Sequence, residues 1–400
     1  MNYLKSLTLG IALSLLAGCA TRPVPDGSQC NVGGTVSNGF SESTGEQSSP
    51  EFSSPAPRIL VLSGGGKWGA FGAGYLNGWY AAADGLPEFD IVTGVSAGAI
   101  LATAAFIGEP GALDIYRNIS QDDIFSRKLL PFSLFSDGLA STARLRTVIE
   151  GMVGEQELLA VARRARQGAQ LLVGAVNLDN GVFVELDLGE IAIAFADEHE
   201  ASKRGALRRR YVDAIVASGT VPLAMEPVYI DCAMMVDGGV RHQLFLPESA
   251  SMHTARKQES RGSGSNGASM DWAEAPMLFV IVNGQTRSNF VGYKEDRTAE
   301  LTRPDLSDIA QRSIAAMLDS NLDSDIAQIC DWDSDFRVSI ISADQLSADD
   351  RQECVSKDDG GFFPQPFMSC LYDRGFQQGQ IYKGSQSPHG KSCKSDQALR

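Results

Sequence analysis

Positive charge is scarce in this sequence. Its 400 residues include 34 Lys and Arg against 49 Asp and Glu, which gives a formal net charge of −15 at pH 7. Nucleic-acid binding depends on clustered basic side chains that neutralise phosphates. The one compact basic stretch, residues 203–210, is short, and we interpret it as a solvated helix face. The composition therefore argues against a nucleic-acid partner.

Histidine and closely spaced cysteines are also scarce. The chain has four histidines and seven cysteines, and no two cysteines have the C-x-x-C spacing that many zinc sites use. The histidines do not cluster with the cysteines either. We therefore expect no metal and no other cofactor.

No apolar run reaches the length of about 20 residues that a membrane-spanning helix needs. The N-terminus instead has Lys5, an apolar stretch over residues 7–17, and the sequence Leu-Ala-Gly-Cys that ends at Cys19. A small residue directly before a cysteine resembles the bacterial lipobox, in which the cysteine is lipid-modified and becomes the new N-terminus. Residues 1–18 are therefore predicted to be a lipoprotein signal peptide, with an ordinary signal peptide or a signal anchor as the alternative.

The lipobox makes Cys19 the predicted site of lipidation, carrying palmitate. It implies a protein anchored to a membrane of the bacterial cell envelope, on the periplasmic face of the outer membrane. If Cys19 carries lipid, six cysteines remain, an even number that suits disulfides in an oxidising compartment. The sequence does not choose among their pairings.

Composition divides the rest of the chain into three predicted parts. Residues 19–57 are rich in Ser, Gly, Pro and Asn, which is typical of a flexible tether. Residues 58–345 alternate short apolar strands with helical stretches, which predicts an α/β fold of three layers, α/β/α, around a mostly parallel central sheet. Residues 346–400 are more polar and contain three cysteines, so we expect a disulfide-containing C-terminal extension with little core of its own.

A glycine-rich loop follows the first predicted strand of this domain. It spans residues 63–69 and contains Gly64, Gly65 and Gly66 in succession. Consecutive glycines allow a sharp turn and expose backbone N–H groups, which bind anions when they lie beside a helix N-terminus. A phosphate, a developing oxyanion and a tight turn without a ligand are all open. The acidic residue that a dinucleotide-binding motif needs after the next strand is missing.

The next strand leads into Gly94-Val95-Ser96-Ala97-Gly98, the one G-x-S-x-G sequence in the chain. At this glycine content the pattern can arise by chance, so its setting decides. An apolar strand enters the motif and a helix of small residues leaves it, which is the strand–turn–helix arrangement of a nucleophile elbow. Ser96 is therefore the candidate nucleophile.

A serine hydroxyl needs a base that takes its proton. None of the four histidines has a distinctive setting, although a Ser-His-Asp esterase that uses one of them, such as His242, stays open. A carboxylate is the other solution, and Asp-Gly-Gly begins at Asp237 and at Asp359. Asp237 follows an apolar stretch, whereas Asp359 lies in a polar stretch typical of a turn. Asp237 is thus the better candidate.

Taken in order, these segments resemble the patatin-like phospholipase family. Gly64, Gly65 and Gly66 resemble its oxyanion glycines, and residues 94–98 its nucleophile elbow. Residues 217–222 and 236–240 are similar to its approach to the catalytic aspartate. The resemblance implies a patatin-like fold, a Ser96–Asp237 dyad that uses no histidine, and hydrolysis of lipid acyl esters of the phospholipase A or lysophospholipase type.

Two positions depart from the family pattern. The family usually has a basic residue directly before the last glycine of the oxyanion stretch, where this chain has Trp68, with Lys67 one position earlier. After Asp-Gly-Gly-Val the family favours Asn and Pro, where this chain reads Arg-His-Gln-Leu-Phe over residues 241–245.

The predicted reaction is acyl transfer in two steps by a carboxylic ester hydrolase. Asp237 accepts the Ser96 proton, Ser96 attacks the ester, and the N–H groups of Gly65 and Gly66, aided by that of Ala97, hold the oxyanion. The expected partners are a lipid or ester substrate and the membrane reached through the anchor. A non-catalytic envelope lipoprotein that uses the fold as a binding module and a nucleotide-binding protein are the alternatives.

Overall fold

The computed structural model of the protein describes residues 40–41, 57–124, 126–127, 140–247, 250, 275–284, 286, 306–331 and 336–381. The predicted signal peptide, Cys19, nearly all of the predicted tether and residues 382–400 lie outside the described residues. Within those described ranges, no helix combines the length and apolar character needed to cross a membrane.

The strands are short and mostly apolar, as expected for strands that are covered on both faces. In chain order they are β1 (Phe40–Ser41), β2 (Arg58–Leu62), β3 (Ile91–Val95), β4 (Ser126–Arg127), β5 (Ala140–Ser141), β6 (Gln170–Asn177), β7 (Val182–Asp187), β8 (Val228–Ile230), β9 (Ala233–Asp237), β10 (Met277–Val282) and β11 (Arg337–Ser342).

The main sheet of the described chain follows the order β1-β7-β6-β3-β2-β10-β11, with β9 also paired to β6 and β8 to β9. The five strands β6, β3, β2, β10 and β11 run parallel to one another. The strands β7 and β9 pair antiparallel with β6, and β8 and β1 continue this antiparallel side. The prediction of a mostly parallel central sheet is confirmed.

The helices connect these strands and cover them. In chain order they are α1 (Gly69–Tyr80), α2 (Ala97–Ile107), α3 (Ile115–Asn118), α4 (Gln121–Ile124), α5 (Ala143–Met152), α6 (Glu155–Ala165), α7 (Leu188–Asp197), α8 (Ala201–Ser218), α9 (Leu306–Asp331), α10 (Ala348–Val355) and α11 (Gln365–Ile381). The basic stretch 203–210 forms the first half of α8. Its Arg208 is partly buried and donates to the carbonyl oxygens of Glu150 and Val153.

Successive side chains of β2 pack alternately into two apolar cores. Leu60 and Leu62 of β2 belong to the larger core, which they share with α1, α2, α5–α8 and α11. Ile59 and Val61 point to the other face and pack in a smaller core with Ile326 of α9. Because successive strand residues face opposite sides of a sheet, one sequence stretch builds both cores. The predicted three-layer α/β/α architecture is confirmed.

The C-terminal helix α11 packs closely against α1. A Cβ atom added to Gly74 would lie 2.1 Å from the carbonyl oxygen of Tyr372, and one added to Gly375 would lie 2.3 Å from that of Phe71. Glycines on both helices therefore permit a backbone approach that any side chain would prevent. Part of the predicted C-terminal extension thus belongs to the larger core, where residues such as Leu371 are buried.

Disulfide bonds occur in this region and elsewhere in the described part of the chain. Cys354 of α10 is bonded to Cys370 of α11, and Cys232 and Cys330 are also disulfide-bonded. The disulfides agree with the expectation drawn from the even number of cysteines that remain beside Cys19.

Candidate active site

Ser96 occupies the tight turn between β3 and α2. Its backbone has a φ of 53° and a ψ of −119°, a strained conformation for a residue with a side chain. A Cβ on Gly94 would lie 2.5 Å from the carbonyl oxygen of Gly98, and one on Gly98 would lie 2.2 Å from that of Leu62. Both flanking glycines are therefore needed for the chain to turn this sharply beside β2.

A second serine supports the strained turn. The backbone N–H of Ser96 donates to Ser218 Oγ at 3.0 Å, and the Ser218 hydroxyl donates to the carbonyl oxygen of Gly174 at 2.5 Å. Ser218 is the last residue of α8 and is fully buried. Ser218 belongs to the predicted motif segment 217–222 but was not predicted to support the turn, because a serine in this role has no distinctive local pattern.

The sheet register brings Asp237 to Ser96. The strand β6 has β7 along one side; along the other it has β3 and then β9, with Val95 opposite Gly174 and Asp237 opposite Ala175. Ser96 follows Val95, and Asp237 ends β9, so the ends of β3 and β9 meet on neighbouring residues of β6. The two predicted catalytic residues thus lie side by side.

Asp237 is a buried carboxyl group, with 2% of its surface exposed. Its Oδ1 accepts a hydrogen bond of 2.7 Å from the N–H of Gly239, and its side chain is also hydrogen-bonded to Ser96. Burial raises the pKa of Asp237 to about 6, and these two hydrogen bonds only partly offset the effect. Asp359 makes the same turn by accepting from the N–H of Gly361, but it is exposed. Burial therefore distinguishes the two Asp-Gly-Gly copies.

The glycine loop lies against the nucleophile. A Cβ on Gly64 would lie 3.2 Å from the Ser96 Cβ. The N–H of Gly64 donates to the carbonyl oxygen of Gln243 at 3.2 Å, so it offers no free donor. Gly65 and Gly66 have positive φ values of 147° and 54°, and their N–H groups have no acceptor among the described residues. Of the three predicted oxyanion glycines, Gly65 and Gly66 therefore keep N–H groups that can bind a ligand, whereas Gly64 does not.

Asn283, at the end of β10, holds this loop from the other side. Its side-chain amide donates to the carbonyl oxygen of Ser63 at 2.6 Å, and its N–H donates to Ser63 Oγ at 2.7 Å. A Cβ on Gly65 would lie 1.8 Å from the Asn283 carbonyl oxygen. Asn283 was not predicted from the sequence, although its position as a polar residue directly after a buried strand is a usable signal.

Lys67 points away from the glycine donors. Its ammonium group forms an ion pair of 2.5 Å with Asp358 and lies 5.3 Å from the centre of the Phe367 ring. The adjacent Trp68 packs edge-on against the same ring. The two residues that depart from the family pattern thus both contact the C-terminal region.

An apolar pocket of about 120 Å³ adjoins Ser96. Gly66 and Ala97 contribute to its wall beside Ser96, and the remaining wall consists of aliphatic and aromatic side chains and one glycine. They come from α2, α3, α4, α5, the segments after α3 and α8, and the pair Phe362 and Phe363 before α11. Such a wall suits a fatty acyl chain and offers few partners for a nucleotide. Across the described ranges, no group of three or more His, Cys, Asp or Glu side chains could hold a metal ion.

His242 has a carboxylate partner other than Asp237. Its Nδ1 lies 2.9 Å from Oδ1 of Asp325, a buried residue of α9. The other oxygen of Asp325 accepts from the N–H groups of Gln243 and Leu244, at 2.6 and 3.0 Å. His242 therefore helps to fix the loop after Asp237. His253 and His389 lie outside the described residues.

Comparison with known proteins identifies the family of the segment that contains Ser96 and Asp237. Residues 60–248 match the family model described as patatin-like phospholipase. The chain therefore carries a patatin-like phospholipase domain, and the resemblance drawn from its motifs is confirmed. It is also similar to the crystal structure of VipD from Legionella pneumophila, with 11% identity and a TM-score of 0.31 over 80% of this chain and 67% of that chain. Comparison with the curated proteins finds no match.

Proposed function

We propose that this protein is a serine acyl hydrolase that cleaves carboxylic esters of lipids, of the phospholipase A or lysophospholipase type. The patatin-like domain supports lipid-ester hydrolysis in general. The finer proposal rests on one observation: the Ser96 side chain is hydrogen-bonded to buried Asp237, beside a pocket whose wall is almost wholly apolar.

Acylation follows from the geometry of the dyad. The Ser96 hydroxyl loses its proton to Asp237 as its oxygen attacks the ester carbonyl carbon. The negative charge that develops on the carbonyl oxygen is held by the N–H groups of Gly65 and Gly66, with help from Ala97 at the N-terminus of α2. When the intermediate collapses, Asp237 returns the proton to the leaving alcohol, and an acyl-enzyme remains on Ser96.

Deacylation repeats the sequence with water. Asp237 takes a proton from a water molecule that attacks the acyl carbon, and the same donors hold the second oxyanion. Collapse releases the fatty acid and returns the proton to Ser96. A carboxyl group with a pKa near 6 is well suited to both roles, because it accepts a proton more readily than an exposed aspartate does.

The contacts of His242 favour the dyad over a Ser-His-Asp arrangement. His242 pairs with Asp325, whereas the side-chain partner of Ser96 is Asp237. The apolar pocket disfavours nucleotide binding through the glycine loop. A non-catalytic binding module would have no need for the strained backbone at Ser96, which costs on the order of 1–3 kcal/mol.

We also propose that Cys19 carries palmitate and anchors the protein in the bacterial cell envelope, on the periplasmic face of the outer membrane. The support is the lipobox sequence that ends at Cys19, together with disulfide bonds at Cys232, Cys330, Cys354 and Cys370. Disulfides are typical of proteins in oxidising compartments.

Substitution of the dyad tests the catalytic proposal. Ser96→Ala and Asp237→Asn should each lower ester hydrolysis by at least about 1,000-fold, and Ser96→Ala should abolish labelling by a fluorophosphonate. Asp197→Asn, which changes an exposed carboxylate, is the matched control. Folded Ser96→Ala or Asp237→Asn protein with wild-type turnover would rule out the dyad, and an inactive His242→Ala variant would favour a triad.

A further inference from the structure

The wall of the Ser96 pocket extends beyond the patatin-like domain. Most lining residues lie within residues 60–248, but Phe362 and Phe363 come from the segment between α10 and α11. Phe362 is 50% exposed, and Phe363 is partly buried and packs against the larger core. Both side chains therefore contribute to the pocket surface from outside the matched region.

The segment that carries these two aromatic residues is held in several places. The Cys354–Cys370 disulfide joins the helices on its two sides. After the segment, the side-chain amide of Gln365 donates to the carbonyl oxygen of Arg117 at 3.0 Å. Arg117 lies in α3, whose residues Ile115 and Tyr116 also line the pocket. The segment that carries the two phenylalanines is thus hydrogen-bonded to another element of the pocket wall.

The same segment contacts the glycine loop. Asp358 forms the ion pair with Lys67, which follows Gly66 directly, and both side chains are about four-fifths buried, at 23% and 22% exposed. The second oxygen of Asp358 accepts from the N–H of Gly360 at 3.0 Å, which fixes the carboxylate within its own turn. The ion pair therefore connects the segment before Phe362 to the loop that carries the oxyanion donors.

We propose that the segment 356–364 determines which acyl chains the active site accepts, with Phe362 and Phe363 as specificity-determining residues and the Lys67–Asp358 ion pair as the contact that positions them against the oxyanion loop. This inference rests on the proposed function. Its physical basis is that removal of a side chain from an apolar pocket wall creates room that additional methylene groups of a substrate fill.

Acyl-chain profiling of the full-length protein tests the proposal. The substrates are p-nitrophenyl butyrate, octanoate, laurate and palmitate, and the readout is the ratio of kcat/KM for palmitate to that for butyrate. Phe363→Ala and Phe362→Ala should raise this ratio by about 10-fold or more, and Phe363→Trp should lower it. Tyr80→Ala, which removes another exposed aromatic side chain that does not line the pocket, should leave this ratio unchanged.

The positioning role of the Lys67–Asp358 ion pair is tested separately, through kcat, KM and the chain-length profile. Lys67→Met should lower kcat for all four esters more than it raises KM and should broaden the chain-length profile, whereas Lys67→Arg, which keeps the charge, should restore both. If the two Lys67 variants behave alike, the ion pair has no positioning role. A melting temperature within the wild-type range identifies the variants that remain folded, and Phe363→Leu replaces Phe363→Ala if the latter does not fold.

The outcomes separate this inference from the proposed function. A wild-type protein that hydrolyses the esters, together with Phe362 and Phe363 variants of unchanged chain-length ratio, would overturn the inference alone. A wild-type protein that hydrolyses none of the esters and whose Ser96 resists fluorophosphonate labelling would overturn the proposed function, and this inference with it.

Discussion

Asp237 lies in a buried position where an ionised carboxylate lowers the stability of the fold but can act as the proposed base. Burial raises its pKa to about 6, and the proposed base must be ionised to accept a proton. We therefore expect kcat/KM to fall tenfold for each unit of pH below about 6 and to level off above it. A pH–rate profile with a soluble ester measures this. A rate that stays constant from neutral pH down to pH 5 would contradict the role of Asp237.

The same burial predicts an effect on stability. The folded-state pKa of Asp237 lies above its ordinary value of 3.8, so the folded protein binds this proton more tightly than the unfolded chain. The contribution of Asp237 should therefore lower the free energy of unfolding of the wild type as pH rises from about 4 to about 6. Above pH 6 this loss of stability should stay constant. A difference of roughly two pKa units between the folded and the unfolded protein corresponds to about 3 kcal/mol in the free energy of unfolding.

Asp237→Asn should remove this cost. We expect the variant to be inactive yet more stable than the wild type above pH 6, by up to about 3 kcal/mol in the free energy of unfolding. Urea denaturation at two pH values measures the difference. Asp197→Asn controls for the loss of a surface carboxylate. An Asp237→Asn variant that gains no stability between pH 4 and pH 7 would show that the charged side chain carries little cost.

Among individual residues, the sequence predicted those site residues that lie in a strong local pattern. Ser96 was predicted because a strand, a tight turn and a helix follow one another in a few residues. Asn283 and Gln243 were not predicted as part of the site, because their contacts with the glycine loop depend on segments far away in the chain. Pairing across such distances leaves no mark on local composition.

Among the secondary-structure elements, α9 supports the site from the smaller core. Its Asp325 accepts hydrogen bonds from the backbone of Gln243 and Leu244 and from His242. The carbonyl oxygen of Gln243 in turn accepts from the N–H of Gly64. This chain of contacts connects a helix outside the matched family segment to the glycine loop.

Asp325→Ala tests that connection. Loss of the carboxylate leaves two N–H groups without their acceptor, which should lower the free energy of unfolding by about 3 kcal/mol. We also expect kcat to fall more than KM rises, because the glycine loop, which carries the proposed oxyanion donors, loses support. Asp323→Asn, at an exposed position of the same helix, is the control. Equal effects of the two substitutions on kcat would argue against a specific role for Asp325.

The sequence predicted elements where the hydrophobic pattern is regular. Residues 97–107 and 277–282 read clearly as helix and strand, because they are continuously apolar and bounded by polar residues or turns. The basic stretch 203–210 was interpreted as a solvated helix face, and it forms the first half of α8, although its Arg208 is partly buried. The N–H and carbonyl pairing of a helix does not depend on side-chain polarity, so a charged first half extends the helix without an apolar signal.

At the scale of the whole molecule, the structure differs most from the predicted division of the chain in the C-terminal region. The predicted boundary at residue 345 separates the hydrolase domain from a C-terminal extension. The described part of that extension packs into the larger core through α11, and its Phe362 and Phe363 line the pocket. The interface between α1 and α11 depends on glycines of two segments roughly 300 residues apart. Neither segment shows this complementarity by itself.

The proposed membrane attachment also concerns the whole molecule, and it is testable. In a bacterial host, the wild type should be recovered with membranes and should incorporate an alkyne analogue of palmitate, whereas Cys19→Ser should do neither. Buried acyl chains contribute about 0.8 kcal/mol per methylene group to membrane binding, so loss of lipid should release the protein. Incorporation of the label at wild-type level in Cys19→Ser would contradict the anchor. Ser96→Ala should remain on the membrane.

The sequence by itself determined the α/β class, the family and the identity of the candidate nucleophile and its carboxylate partner. Those conclusions depend on local order along the chain: apolar strands, glycines at sharp turns and a serine between a strand and a helix. The tertiary structure decided which N–H groups of the glycine loop are free, how strongly Asp237 is buried and what closes the pocket around Ser96. These properties arise from contacts among β10, α9 and α11, and burial is a property of all surrounding segments together rather than of any one of them.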